Sequence, residues 1–398
     1  MEDQDLRRQE IRQRESEKEA ERKRREAEEQ KAKEAAREKA KKGLEKRNQK
    51  TFWELYQDYF AYGALGLVVI FIFISSFSGD RRKLSEIPVN EEEFITSHND
   101  LNKNFTVGKN SFFEGSTLQT VKEMANNKFS TRKSLSRCNP KLIDDVELPN
   151  DYNFYTEFPQ CRTEEILSKS SSSYSEIPVS LFRNRNCKAG GDITFVPSLK
   201  FLHACDTKHN TRTKGGYIID TLNFMSKHGL ITEECWDKIQ GSDEADKDKT
   251  KKDDVCPTSE KLKECQKDYV ENYCVFETID EIKKEVKKNG PVASFLLPYR
   301  DLLIYKNGVY AQDEHKQKID GIIFAKIVGW ETNEDGSQSW LVDPLFGREW
   351  GIDGLGKVLI GTEDSLLDKI GVVAYPSILE KSIETENDDT LEDEAAAE

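Results

Sequence analysis

The chain has 398 residues and a formal net charge of −14, but its composition is uneven along its length. Residues 1–50 carry 18 Lys and Arg against 14 Asp and Glu and few apolar side chains beyond alanine, whereas residues 384–398 are acidic with no basic residue. Neither end has enough apolar side chains to bury a hydrophobic core, so both are excluded as folded domains.

The first segment, residues 1–58, is a charged arm made largely of helix formers. Opposite charges recur four residues apart, as in Glu19 with Lys23 and Glu21 with Arg25, which favours a solvated helix. No apolar stripe runs through the arm, so a coiled coil is not expected. Its mixed charge lacks the basic excess of nucleic-acid-binding segments, and we expect no nucleic acid partner. The alternatives are a disordered arm or a cytosolic arm that docks on an acidic partner.

The second segment, residues 59–79, contains no charged side chain and is bracketed by Asp58 and Asp80. Twenty-one residues that rise about 1.5 Å each span the roughly 30 Å hydrocarbon core of a bilayer. Aromatic residues cluster at its N-terminal rim, as they do at membrane interfaces. The segment lies too far from the N-terminus for a cleaved signal peptide, so we predict a single transmembrane helix.

The flanks of this span predict its orientation. More basic residues precede it than follow it, which favours a cytosolic N-terminus and a lumenal or extracellular C-terminal region in the secretory pathway. All eight cysteines follow the span, as does the sequon Asn104-Phe105-Thr106. We therefore expect disulfides and a glycan on Asn104. The alternative location is an organellar inner membrane, with the cysteines facing an intermembrane space.

Beyond residue 80, the sequence predicts an α+β domain with a strand-rich second half. Residues 80–147 are polar apart from the amphipathic stretch Ser116–Ala125, and helical periods starting at Ile218 and Ile279 each end at a glycine. Strand-like runs come next, at Val292–Phe295, Ile322–Val328, Ser339–Val342 and Gly371–Tyr375. Because no CxxC pair is present, the cysteines indicate disulfides and not a metal site.

A series of motifs from residue 148 to 379 resembles the papain family, and specifically cathepsin B. The motifs are Leu148-Pro149, Phe158-Pro159-Gln160-Cys161, Arg185-Asn186-Cys187, Lys214-Gly215-Gly216-Tyr217, Asn289-Gly290-Pro291-Val292, Tyr305-Lys306-Asn307-Gly308-Val309-Tyr310, Gly329-Trp330, Trp340-Leu341-Val342 and Glu349-Trp350-Gly351. Each motif is weak by itself, but the whole series in this order is specific. The resemblance implies a two-lobed papain-like fold, with a helical lobe followed by a β-rich lobe. Residues 80–147 resemble the prosegment, and residues 380–398 are expected to form a disordered acidic tail.

The same resemblance places unsuitable side chains at the catalytic positions. Counting from the matched motifs puts Ser173 at the nucleophilic cysteine, or Ser175 in a register shifted by two. It puts Ile323 at the histidine, Pro344 at the asparagine and Leu167 near the oxyanion glutamine. A serine without a base is a poor nucleophile, isoleucine cannot exchange a proton, and no substitute base is identified in the sequence.

We therefore predict a catalytically inactive, membrane-anchored protein that serves as a binding or structural subunit, with a protein partner and without metal or cofactor. The alternative is a peptidase homologue with residual or serine-based proteolytic activity. The resemblance implies a Cys161–Cys187 disulfide, whereas Ser170 and Thr213 occupy the positions of a second family pair. The pairing of the other cysteines stays open. An unremoved prosegment is expected to fill the cleft, since nothing here could cleave it autocatalytically.

Overall fold

The computed structural model describes residues 82–101, 104–129, 136–212, 214–241, 255–311, 317–362 and 365–377, together with Lys31 and Glu38. The rest of the predicted charged arm, the predicted transmembrane segment 59–79 and the acidic tail 380–398 lie outside these residues. No helix in the described part of the chain is long and apolar enough to cross a bilayer. The papain-like region lies in a compact unit that begins at Arg82.

Helices predominate over strands in the described chain up to residue 262, and strands predominate over helices after that residue. The helices are α1 (Glu92–Leu101), α2 (Leu118–Met124), α3 (Phe154–Glu157), α4 (Ser173–Lys188), α5 (Leu199–Cys205), α6 (Ile218–His228), α7 (Glu233–Gly241), α8 (Ser259–Leu262), α9 (Ile279–Asn289) and α10 (Arg300–Leu303). The strands are β1 (Phe105–Val107), β2 (Tyr152–Asn153), β3 (Val270–Phe276), β4 (Val292–Leu296), β5 (Tyr305–Gly308), β6 (Ile323–Thr332), β7 (Gln338–Asp343), β8 (Gly356–Leu359) and β9 (Gly371–Pro376). The predicted α+β class is confirmed.

The main sheet is antiparallel, with strand order β3-β9-β4-β6-β7-β8 and with β2 added beside β6. Strands β4 and β9 are buried along their whole length, and β6 is buried from Ile323 to Trp330. Both α4 and α9 pack against this part of the sheet. Covered strands explain why the sequence shows continuous apolar runs here, where a half-exposed sheet would show alternation.

The local sequence explains where helix α9 begins, which face it buries and where it ends. The Thr278 side chain accepts the main-chain N–H of Glu281 and caps the first turn. Ile282 and Val286, four residues apart, are buried on one face. Gly290 ends the helix with a φ of +107°, a conformation that side chains with a Cβ rarely adopt.

A buried ammonium group joins helix α4 to the sheet. Lys326 of β6 is fully buried, and its Nζ lies 2.7 Å from Ser180 Oγ and 3.0 Å from Asn184 Oδ1, both on α4. The same Nζ lies 2.8 Å from Tyr155 Oη and 3.2 Å from Asp343 Oδ2, and the Tyr155 hydroxyl donates to Asp343 at 2.6 Å. The charge is therefore paired and hydrogen-bonded, as a buried charge has to be.

Helix α4 makes a second buried ionic contact near its C-terminal end. Arg185 pairs with Glu285 of α9, and both side chains are fully buried. The guanidinium also donates to the main-chain oxygens of Gly290 and Pro291, at 3.2 Å and 3.0 Å. The Tyr375 ring lies beneath it, 4.9 Å from the guanidinium carbon. The contact fixes α4 to α9 and to the turn that leads into β4.

All eight cysteines are joined in disulfides. The bonds are Cys138–Cys274, Cys161–Cys187, Cys205–Cys256 and Cys235–Cys265. The second is the pair that the family resemblance implies. The other three supply pairings that the sequence left open.

Replacing Lys326 with methionine tests the buried ammonium. Lys326→Met keeps the length of the side chain but leaves the Asp343 carboxylate buried without its cation, so we expect a loss of about 3–5 kcal/mol of unfolding free energy. Guanidinium titration of the full-length protein in detergent measures the loss. Lys357→Met, which removes a half-exposed pair with Glu331, is the matched control and should cost less than about 1 kcal/mol. Equal losses would contradict the assigned role.

Candidate functional site

The sequence-predicted catalytic positions meet where the N-terminus of α4 faces the start of β6. Ser173 is the first residue of α4, and its fully buried hydroxyl accepts the main-chain N–H of Phe324 at 3.2 Å. Ile323, the residue before Phe324, opens β6 and is 1% exposed. Pro344 is buried and directly follows β7, which is the neighbour of β6 in the sheet. The junction brings the Ser173 hydroxyl beside the start of β6, and Pro344 lies at the end of the neighbouring strand.

The loop in front of α4 is held by a network of serine hydroxyls. The Oγ atoms of Ser168, Ser170 and Ser172 lie 2.5–2.8 Å from one another. The Glu176 carboxylate, in the first turn of α4, accepts the Ser168 N–H at 2.9 Å and the Ser172 hydroxyl at 2.8 Å. An acidic side chain is favourable there because the N-terminal end of a helix carries partial positive charge. Sequence reasoning missed Glu176, although an acid in the first turn of a helix is a signal for this role.

A histidine lies beside Ser175, the alternative nucleophile position. His203 of α5 places its Nε2 2.9 Å from Ser175 Oγ. The Ser175 hydroxyl also lies 2.9 Å from the Ser172 carbonyl, which can only accept, so this carbonyl competes with Nε2 for the single hydroxyl proton. A general base has to accept this proton, so the tautomer of His203 decides whether the contact could serve that role. Ser175 is also only 1% exposed, which leaves its oxygen without access for a substrate.

Residues 123–129 cross the cleft between its two walls, which are the β-rich part and the helical part of the domain. On the β-rich side, the Ile322 N–H donates to Ala125 O at 2.7 Å. On the helical side, the Lys128 N–H donates to Gly216 O at 2.8 Å. We call residues 123–129 the plug. It also hydrogen-bonds with the loop before α4, because the Ser171 hydroxyl donates to Glu123 O.

The plug caps a helix of the opposite wall. The first turn of α6 has main-chain N–H groups without partners inside the helix. Ile218 N–H donates to Lys128 O at 3.4 Å, and Ile219 N–H donates to Phe129 O at 3.2 Å. The plug therefore satisfies main-chain donors that would otherwise face the cleft.

Two glycines let the plug approach this closely. A Cβ on Gly215 would lie 1.5 Å from Asn126 O, and one on Gly321 would lie 2.2 Å from Ala125 O. Both residues also have positive φ, +79° and +111°. The two walls are thus shaped for contact between main chains and leave no room for a side chain.

The chain before the plug packs on the β-rich part of the domain. Strand β1 pairs antiparallel with β5. Phe112 stacks on Phe346 with 5.0 Å between ring centroids, and Phe113 meets the same ring edge-on at 5.1 Å. Glu91 pairs with Arg300, whose side chain is 5% exposed, and its ion pairs with Arg82 and Arg300 lower the pKa of the Glu91 carboxyl. These contacts hold the prosegment-like region over the domain.

A cavity of about 690 Å³ opens elsewhere, beside the Cys205–Cys256 disulfide and helix α6. Its described lining includes neither Ser173 nor Ile323 nor Pro344. Among the described residues, no group of three His, Cys, Asp or Glu side chains could hold a metal ion. The cavity is therefore separate from the junction of α4 and β6.

Sequence comparison connects this architecture with known proteins. Residues 167–375 match the family model described as Papain family cysteine protease. The chain is similar to Cathepsin B-like CP2 of Giardia intestinalis, with 25% identity over 279 residues that cover 68% of this chain and 88% of the relative. It is also similar to Cathepsin B-like protease 1 of Arabidopsis thaliana, with 32% identity over 170 residues, 41% of this chain and 44% of the relative.

Solved structures with a similar fold include two proenzymes. The structure of proCathepsin B S9 from Trypanosoma congolense has a TM-score of 0.61 at 21% identity, covering 73% of this chain and 99% of that one. The structure of procathepsin L2 from the larval midgut of Tenebrio molitor has a TM-score of 0.56 at 16% identity, covering 77% and 99%. At these identities the likeness establishes the papain-like fold alone.

Placing a methyl group on Gly215 tests the contact between the plug and the helical wall. Gly215→Ala should push Asn126 away and speed amide exchange at Lys128, because the new Cβ overlaps a main-chain oxygen. Hydrogen exchange followed by mass spectrometry of peptides covering residues 123–129 and 214–219 measures this. Gly336→Ala is the matched control: its φ of +81° imposes the same strain, about 1 kcal/mol, with no neighbour within 4 Å of the Cβ. Identical exchange in the two variants would count against the contact.

Proposed function

The chain belongs to the papain family of cysteine proteases and is cathepsin B-like, and from that premise we propose that it is a catalytically inactive, membrane-anchored member that acts as a binding or structural subunit. The observation that carries the proposal is the set of side chains at the junction of α4 and β6. There the Ser173 hydroxyl accepts a main-chain N–H, and the neighbouring positions are held by Ile323 and Pro344.

The chemistry of the family supports this proposal. A cysteine peptidase requires a thiolate nucleophile, an imidazole that exchanges its proton and a group that orients the ring. Each of the eight cysteines is used in a disulfide, so no thiol is available as the nucleophile. The alkyl group of Ile323 can neither accept nor donate a proton.

The filled cleft supports a role in binding through other surfaces. A substrate peptide and the plug would compete for the same main-chain groups, since Gly216 and Ile322 already hydrogen-bond with residues 123–129. The two similar solved structures are of proenzymes, and this chain covers 99% of each. That coverage shows that the shared fold includes the prosegment-like region. A partner protein would then contact the outer surface of the domain, the charged arm or the acidic tail.

Anchoring in a membrane rests on the uncharged segment 59–79. The disulfides and the exposed position of Asn104 are compatible with a lumenal or extracellular domain. The N-terminal arm would then lie in the cytosol.

Affinity purification of the full-length protein in mild detergent tests the binding role. We expect stoichiometric partners together with an intact chain, identified by mass spectrometry of the partners and of the N- and C-terminal peptides. Parallel purifications without residues 1–50 and without residues 384–398 show which end the partner contacts. No partner, together with a trimmed chain that begins near Leu148, would contradict the proposal and point to a mature domain with an open cleft.

The second candidate, a serine-based hydrolase, is favoured only by the 2.9 Å contact between Ser175 and His203. Because the Ser175 hydroxyl is buried and Ser172 O competes for its proton, we expect no labelling by a fluorophosphonate probe and no hydrolysis of peptide substrates. In-gel fluorescence of the labelled protein measures this, with Ser175→Ala and Ser173→Ala as controls. Labelling that is lost in Ser175→Ala and kept in Ser173→Ala would establish the hydrolase and remove the proposal of an inactive protein.

A further inference from the structure

One disulfide crosses the boundary between the prosegment-like region and the papain-family domain. Cys138 lies outside residues 167–375, which match the family model, whereas Cys274 lies inside that range on β3. Both cysteines are buried, at 4% and 5% exposure. The main chain reinforces the link, since Cys138 N–H donates to Val275 O at 2.9 Å and Val275 N–H donates to Ser136 O at 3.1 Å.

The chain is accessible just after this bond. Between Cys138 and the first strand of the main sheet, most residues are exposed, and Asp144 and Asp145 lie in an exposed turn. A protease that separated the prosegment-like region from the domain would have to cut in such a stretch. Without the disulfide, a cut there would leave the plug held by non-covalent contacts alone.

We propose that the Cys138–Cys274 bond is a covalent strap that keeps the plug in the cleft even when the chain is cut between residues 139 and 151. Cys138 lies nine residues beyond Phe129, the last residue of the plug, so the bond keeps the plug at a high effective concentration beside the cleft. The strap rests on the proposed function, in which the cleft is not a working active site. It deepens that function by assigning partner binding to surfaces outside the cleft.

The strap has a second consequence for a chain anchored through residues 59–79. The anchor and Cys138 lie on the same side of the exposed turn in the sequence, and Cys274 lies on the other side. A cut at the turn therefore leaves the domain bonded to the fragment that carries the anchor. The domain stays at the membrane after the cut.

The experiment inserts a recognition sequence for a site-specific protease between Asp144 and Asp145 in the full-length protein. After cutting in detergent, we expect one full-length band on a non-reducing denaturing gel and two bands after reduction. Amide exchange at Lys128 and Ile322, whose N–H groups bond across the cleft, should match that of the uncut protein. Both results are expected of a plug that remains strapped.

Two double-serine variants, each lacking one disulfide, separate the effect of the Cys138–Cys274 bond from that of disulfide loss in general. In Cys138→Ser/Cys274→Ser, cutting should give two bands without reduction and speed exchange at Lys128 and Ile322 at least about tenfold. Cys205→Ser/Cys256→Ser is the matched control because it removes a disulfide that lies within the domain, and after cutting it should behave like the wild type. The uncut forms of both variants report whether each one folds.

Two outcomes would overturn the strap. The first is separation of the cut wild-type chain into two bands without reductant. The second is slow exchange that persists in cut Cys138→Ser/Cys274→Ser, which would mean that non-covalent contacts suffice. If this variant does not fold, the cut double-alanine variant Cys138→Ala/Cys274→Ala, which removes the same bond and adds no hydroxyl to the buried site, provides the same test. Peptide hydrolysis by the cut variant would instead overturn the proposed inactivity and leave the strap standing.

Discussion

The buried ammonium of Lys326 joins three parts of the fold. It links helix α4 and the β2–α3 segment to the main sheet. It meets Ser180 and Asn184 of the helix, Tyr155 and Asp343, with side-chain exposure close to zero. An ion buried this deeply is tolerated only when its partners are all positioned, so the arrangement of these elements is specified together. Burial raises the pKa of Tyr155 well above its usual value, which keeps its hydroxyl protonated as the donor to Asp343.

These anchors on α4 lie from Ser180 onward, whereas the sequence-predicted catalytic position Ser173 lies at its N-terminus. Arg185 and Asn184 are more than two helical turns from Ser173. The groups that fix the helix are therefore different from those that a peptidase would use for chemistry. A cysteine or histidine can be absent from the junction of α4 and β6 without loosening the fold. The loop in front of α4 is ordered by the serine network around Glu176.

The sequence predicted much of this architecture because many of its signals are local. The helix predicted from Ile279 and stopped at Gly290 is present as α9, and the predicted run Ile322–Val328 overlaps β6, which extends from Ile323 to Thr332. Strand β3 was not predicted, because its first half is an exposed edge with Glu271 and Asn272 in place of an apolar alternation.

The contacts that decide the site could not be read from the sequence, since they join residues far apart in the chain. His203 follows Ser175 by 28 positions, and Cys274 follows Cys138 by 136. Three of the four disulfide pairings could not be predicted from the sequence, because their cysteines also lie far apart in the chain. A motif series reports which residues occupy a family's positions, but it does not report how deeply they are buried or which groups they contact.

The plug takes up main-chain hydrogen-bonding groups on both sides of the cleft. A substrate cleft functions by offering main-chain donors and acceptors to a peptide that arrives and leaves. Here the donors of Ile218, Ile219 and Ile322 are satisfied by the chain's own carbonyls, and Gly216 O accepts from Lys128. Removing the plug would leave these groups facing the cleft, so the plug is part of what stabilises the two walls. While the plug is in place, it is both a structural element and the occupant of the cleft, so the surfaces open to recognition are those outside it.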